Sequence, residues 1–91
     1  MRTKKELKAY LRDHVGEELE LVMYSGDYGE PIKKEKRTIL EARSKDLITG
    51  RRDLDSGELV PVYLDYKSID TVTSEFFQLT SLLGHVVRFY Y

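Results

Sequence analysis

The sequence predicts an α+β domain: an N-terminal helix, a five-stranded bent antiparallel sheet or partly open barrel, and a short helix before the last strand. Three observations carry that expectation. Thr3-Lys4-Lys5-Glu6 opens an amphipathic segment with the spacing of a capping box. Strand-like runs at Arg37–Arg43, Asp46–Arg52 and Leu59–Leu64 are separated by short polar links, the longest being Asp53-Leu54-Asp55-Ser56-Gly57-Glu58. Gly50 interrupts one of these runs, as strongly curved sheets require.

The first helix follows from its cap. Leu7, Tyr10, Leu11 and Val15 fall at i, i+3, i+4 and i+8, one apolar stripe, and Gly16 sits where a left-handed residue would end the helix. His14 occupies the last turn, where the helix dipole favours a cation. Glu18 to Tyr24 then switches to period two, with Leu19, Leu21 and Met23 on one face. Ser25–Pro31 is a loop by composition, and Lys33-Lys34-Glu35-Lys36-Arg37 leads out of it along an exposed strand. Thr38, Leu40 and Ala42 are expected to face inward in the run that follows. Pro61 cannot donate to a ladder, so its strand belongs at an edge or at a bulge. The closing run Asp65–Val72 leads to Thr73 or Ser74, which is expected to cap a helix from Glu75 to Leu83, with Phe76, Leu79 and Leu83 spaced i, i+3, i+7. Gly84 stops that helix, and His85–Tyr91 is dense enough in strand formers to pair in the sheet.

One domain, residues 1–91, accounts for this pattern, with no internal repeat. The absence of cysteine excludes disulfides and thiolate zinc sites, and is compatible with a cytoplasmic location. No signal peptide is apparent after Met1, and the longest nearly uncharged run, Phe76–Val87, is short and polar beside the roughly 20 apolar residues of a membrane span, so no membrane partner is expected. Net charge is −1, divided unevenly: residues 1–52 sum to +3 and residues 53–91 to −4. Such a division suits either self-association or an anionic partner.

A helix followed by a bent sheet, with Gly50 mid-strand and a closing Leu64-Asp65-x-x-x-Ile69-x-x-Val72, resembles the Sm-like, SH3-type small β-barrels. Within them, Leu47–Leu59 is similar to the central strand and hairpin of WYL domains, barrel modules of bacterial regulators that sense ligands or nucleic acids. The position of the Trp-Tyr-Leu signature reads Lys45-Asp46-Leu47, and the closing segment carries two extra residues. The resemblance therefore implies a barrel and nucleic-acid biology, and transfers no ligand-sensing residue.

Catalytic and metal chemistry find no support in the pattern, so no enzyme activity and no cofactor are expected. Asp13 and His14 are adjacent on a helix and project about 100° apart, so they do not form an oriented general base. Asp53, Asp55 and Glu58 echo a calcium loop but lack its length and its flanking helices; turn chemistry explains them. The strongest functional candidates are the cations Lys33, Lys34, Lys36, Arg37, Arg43, Lys45, Arg51 and Arg52 with Tyr24 and Tyr28. Cations that neutralise phosphates beside rings that stack on bases suit a groove for single-stranded DNA or RNA, so a nucleic-acid-associated regulator is the first expectation. The rival is a protein-interaction module, of the kind phages and mobile elements carry as accessory factors or inhibitors. Its anchors would be Tyr24, Tyr28, Tyr63, Tyr66, Tyr90 and Tyr91.

Overall fold

The computed structural model describes residues 3–25, 29–81 and 83–91. Its elements are α1 (Lys4–Asp13), β1 (Glu18–Tyr24), β2 (Pro31–Ala42), β3 (Asp46–Arg52), β4 (Leu59–Asp65), one turn of 3₁₀ helix (Tyr66–Ser68), β5 (Ile69–Val72), β6 (Phe76–Thr80) and β7 (Val86–Tyr90). The strands form one antiparallel sheet in the order β4-β3-β2-β1-β7-β6-β5. The expected count of five strands is thus corrected to seven, although the α+β class and the bent antiparallel sheet stand.

Chain connectivity forces the curl. β4 and β5 lie at opposite edges, yet only Tyr66–Ser68 joins them. A flat sheet with six strand-to-strand gaps would hold its edges about 29 Å apart. Four Cα steps reach about 15 Å at most. The sheet therefore bends into a half-barrel whose edges approach at the Asp65–Ile69 end.

Helix α1 fills the concave, inner side. Thr3 caps it, accepting from the Glu6 amide at 3.2 Å, while its hydroxyl donates to the Glu6 carboxylate at 3.0 Å. Leu7 and Leu11 are fully buried against Leu19, Leu21, Ile39, Leu47, Tyr66, Ile69, Phe77, Val87 and Phe89. Each such leucine contributes about 1.5–3 kcal/mol of transfer free energy. The helix ends before Gly16, whose φ of +95° is the left-handed turn foreseen there, and Val15 lies beyond the last turn, half exposed.

Two expectations about facing and helicity are overturned. In β2 the inward residue is Ile39 and not Thr38 or Leu40, because the register slips between Ile39 and Glu41 and leaves Leu40 as the bulged residue. Ala42, beyond the slip, does reach the core. Likewise, in place of the helix expected from Glu75 to Leu83, residues Phe76–Thr80 form β6. Thr73 does cap: its hydroxyl accepts from the Glu75 and Phe76 amides, both at 3.1 Å. But its amide and hydroxyl also donate to the Phe76 carbonyl, at 2.9 and 3.1 Å, closing a tight turn at Ser74-Glu75. A cap motif serves a turn as well as a helix. What decides is the pairing of β6 on both sides and the burial of Phe77, stacked on Phe89 at 4.8 Å; Leu83, which the helix would have buried, is 84% exposed.

Gly50 has neither a positive φ nor a bulge of its own. It pairs with Thr38 and Pro61, and the Leu40 and Leu59 side chains lean over its Cα; a Cβ there would meet three of their atoms at 3.3 Å. The close approach is made by side chains, and the bulge lies one strand away, at Leu40. Pro61 sits in β4, an edge strand, as its missing amide proton demands.

Candidate binding face

Strand alternation splits the basic residues. β2 aligns Lys33, Glu35 and Arg37 with Met23, Leu21 and Leu19 on the inner face, and Lys34 and Lys36 with Val22 and Glu20 on the outer face. Arg51 pairs with Arg37 and is inward, whereas Arg52 is outward. These cations do not form one surface.

The inner members are committed to one another. Glu35 bridges Lys33 and Arg37, each at 3.1 Å, and Arg37 also donates to the Thr49 hydroxyl at 3.3 Å. Burial raises the Glu35 pKa, but the hydrogen bonds and charges of Arg37 and Lys33 outweigh it and hold the carboxyl below its ordinary value. Arg37 is buried, with no partner for its Nε among the described residues. Arg52 donates to the Gly57 carbonyl, and so braces the β3–β4 turn. Asp53 and Ser56 knit the same turn through bonds to Asp55, Ser56 and Glu58. Arg43 and Lys45 stand at the far end of the β2–β3 hairpin, roughly 30 Å along the strand from Lys34. Arg43 grips Asp46 through Nε and Nη2, both at 2.6 Å; those bonds lower the Asp46 pKa, and the guanidinium covers the Tyr63 ring. Tyr28 lies outside the described residues, as does the middle of the Ser25–Pro31 loop.

A structural reason exists for the lysine-rich stretch. Over Pro31–Lys36, β2 pairs with β1 alone, because the β3 ladder begins only at Arg37. Charged side chains along an open strand edge oppose pairing with other chains.

The outer face of β1, β7 and β6 carries a different cluster. Tyr24, Arg88, Phe76 and Tyr90 meet there above Val22 and Val86, which are 3% and 6% exposed. The Arg88 guanidinium lies 4.2 Å from the Phe76 ring centroid and 5.6 Å from that of Tyr24. Its Nε donates to Gln78 Oε1 at 2.9 Å and its Nη1 to the Tyr90 hydroxyl at 3.3 Å. Gln78 in turn donates to Asp70 at 3.2 Å, and Thr80 donates to the same carboxylate at 3.0 Å. The Tyr24 and Tyr90 hydroxyls are 3.5 Å apart. Tyr24 is raised by that hydrogen bond; burial also raises Tyr90, but its bonds to Tyr24 and Arg88 draw it down. The result is a platform of rings around one oriented guanidinium, with Lys34 and Lys36 exposed beside it.

Of the candidate anchor tyrosines, Tyr66 is buried in the core, and Tyr91 packs against the core with Tyr10 at 4.9 Å. Arg88, Phe76 and Gln78 escaped the sequence reading, because the last two were assigned to a helix. The signal was present in Val86-x-Arg88-x-Tyr90 alternating with Val87-x-Phe89-x-Tyr91: one face is wholly apolar or aromatic, and the other is so apart from Arg88.

Among the described residues no group of three His, Asp or Glu side chains gathers to hold a metal ion, and no helix is long and apolar enough to cross a membrane. The fold and its surface define a small α+β half-barrel with an aromatic outer face. No family model, curated protein or solved structure matches the chain.

Proposed function

We propose that this protein is a non-enzymatic binding module that engages a protein partner through the outer face of β1, β7 and β6. The observation that carries the reading is the apolar and aromatic character of Val22, Tyr24, Phe76, Val86 and Tyr90 on the sheet face opposite the helix. A half-covered antiparallel sheet ordinarily turns polar residues outward. Tyrosine and arginine held in fixed rotamers are the side chains that dominate protein interfaces, since they bury large area at small entropic cost. The mixed charge around the platform, with Glu20 and Asp70 beside Lys34, Lys36 and Arg88, suits a protein surface better than a phosphate backbone.

A second reading keeps nucleic acid. Lys34 and Lys36 share the face of Tyr24 and Tyr90, so bases stacked on the rings would run beside cations. One comparison separates the two. Wild type, Tyr24→Ala/Tyr90→Ala and Lys34→Glu/Lys36→Glu, each checked for native circular dichroism, are used to capture proteins and are titrated with short single-stranded DNA and RNA. The protein-partner reading expects a bound protein that the tyrosine variant loses and that salt releases weakly. Micromolar binding of DNA or RNA, steeply salt-dependent and abolished by the charge reversal, would replace it with the second. A captured partner held equally by both variants refutes the outer face as the site.

A further inference from the structure

We propose that the concavity around Tyr66 binds a phosphate-type dianion. Three lysines from three separate elements converge there: Lys8 from α1, Lys45 from the β2–β3 hairpin and Lys67 from the 3₁₀ turn. Printed into the backbone is the reason they meet. The Tyr66 amide donates to the Lys45 carbonyl at 3.1 Å, so the hairpin and the 3₁₀ turn are pinned together. Lys8 Nζ lies 4.9 Å from the Tyr66 ring centroid, which brings the helix to the same place. Arg12, one helical turn on, and Asp46 are both near enough for their opposite charges to act on the Tyr66 phenol.

The charge is unbalanced. Among the described residues none of these lysines forms an ion pair. The one carboxylate lining the concavity, Asp65, accepts from the Lys67 amide at 2.9 Å. Three cations against one anion leave a local excess of two positive charges in a chain whose net charge is −1. By contrast, Glu35 and Asp46 neutralise Lys33, Arg37 and Arg43. Leaving like charges together costs stability unless an anion joins them.

The geometry selects the anion. A concavity of about 170 Å³ holds a tetrahedral oxyanion with several waters, each of which takes about 30 Å³. Ammonium groups act as point charges and suit an ion whose oxygens are spread tetrahedrally, whereas a flat carboxylate is better matched by a guanidinium fork. The Ser44 hydroxyl at the rim supplies a neutral donor. This site does not depend on the outer-face reading.

The test is an amide-resolved NMR titration of the whole chain with inorganic phosphate, against sodium chloride at matched ionic strength. Saturable shifts are expected at Ser44, Lys45, Tyr66 and Lys67. Lys45→Gln/Lys67→Gln, two exposed positions whose spectrum reports retention of the fold, should weaken binding about two- to thirty-fold, the worth of two exposed ion pairs. Phenyl phosphate distinguishes sources: tighter binding than inorganic phosphate indicates an ester, equal or weaker binding the free ion, and either supports the site. Shifts reproduced by chloride, shifts spread over all surface lysines, or a Lys45/Lys67 variant that binds as wild type would overturn it.

Discussion

Replacing Gly50 by valine tests the close packing over the middle of β3. Gly50 is buried, and a Cβ added to it would stand 3.3 Å from Leu40 Cδ1, Leu59 Cβ and Leu59 Cδ2. Contacts that close oblige the neighbours to give by a few tenths of an ångström. The two leucine methyls are free to turn, but Leu59 Cβ is tied to the backbone of β4. For Gly50→Ala the crowding is offset by the roughly 0.5–1 kcal/mol that a strand glycine costs relative to alanine, so stability should change by less than about 1 kcal/mol. Valine adds two more methyls on the same side, where Leu40 and Leu59 already stand. Its β-propensity does not compensate, and overpacking of this kind costs about 1–3 kcal/mol. In a chain this small that lowers the melting temperature by about 4–20 °C. Urea unfolding of the three proteins, with the slope compared as well as the midpoint, measures the difference. If Gly50→Val is as stable as wild type, Leu40 and Leu59 do not need the space, and the account of this close approach is wrong.

Thr3→Ala should lose about 0.5–2 kcal/mol in the same assay, and Thr3→Ser should recover most of it, because the capping hydroxyl is what holds the Glu6 amide. The lowered pKa of Glu35 makes its contribution present above the ordinary carboxyl value of 4.5 and lost as pH falls through the folded value. The stability gap between wild type and Glu35→Gln should therefore be widest near neutrality and narrow towards acid; a gap independent of pH contradicts the bridge. Burial pushes the Tyr91 phenol up to about 12 from 10, with Tyr10 adding to the effect, so stability complete below pH 10 should decline as pH rises towards 12. Tyr91→Phe should flatten that alkaline decline, and an unaltered pH profile would show that Tyr91 is not buried as described.

What could be read along the chain was local. Thr3 and Glu6, the leucines at positions 7 and 11, Gly16 and the β3–β4 hairpin each depend on neighbours a few residues away, so sequence spacing carries them. Tertiary pairing decided the rest. Thr73-Ser74-Glu75-Phe76 satisfies the same amide bonds at the start of a helix or across a turn, and only β5 and β7 on either side of β6 choose between them. Face assignment in β2 failed at Leu40 because a bulge shifts the two-residue alternation by one, and nothing local announces it. The basic stretch was legible as charge but not as a surface: β2 sends Lys34 and Lys36 outward and Lys33 and Arg37 inward, where Glu35 takes both. Arg88 met Tyr24, and Lys8 met Lys45 and Lys67, only because the half-barrel brings together segments far apart in the chain. Periodicity reports which residues share a face within one element; which faces meet is set by strand order, and strand order is a property of the whole fold.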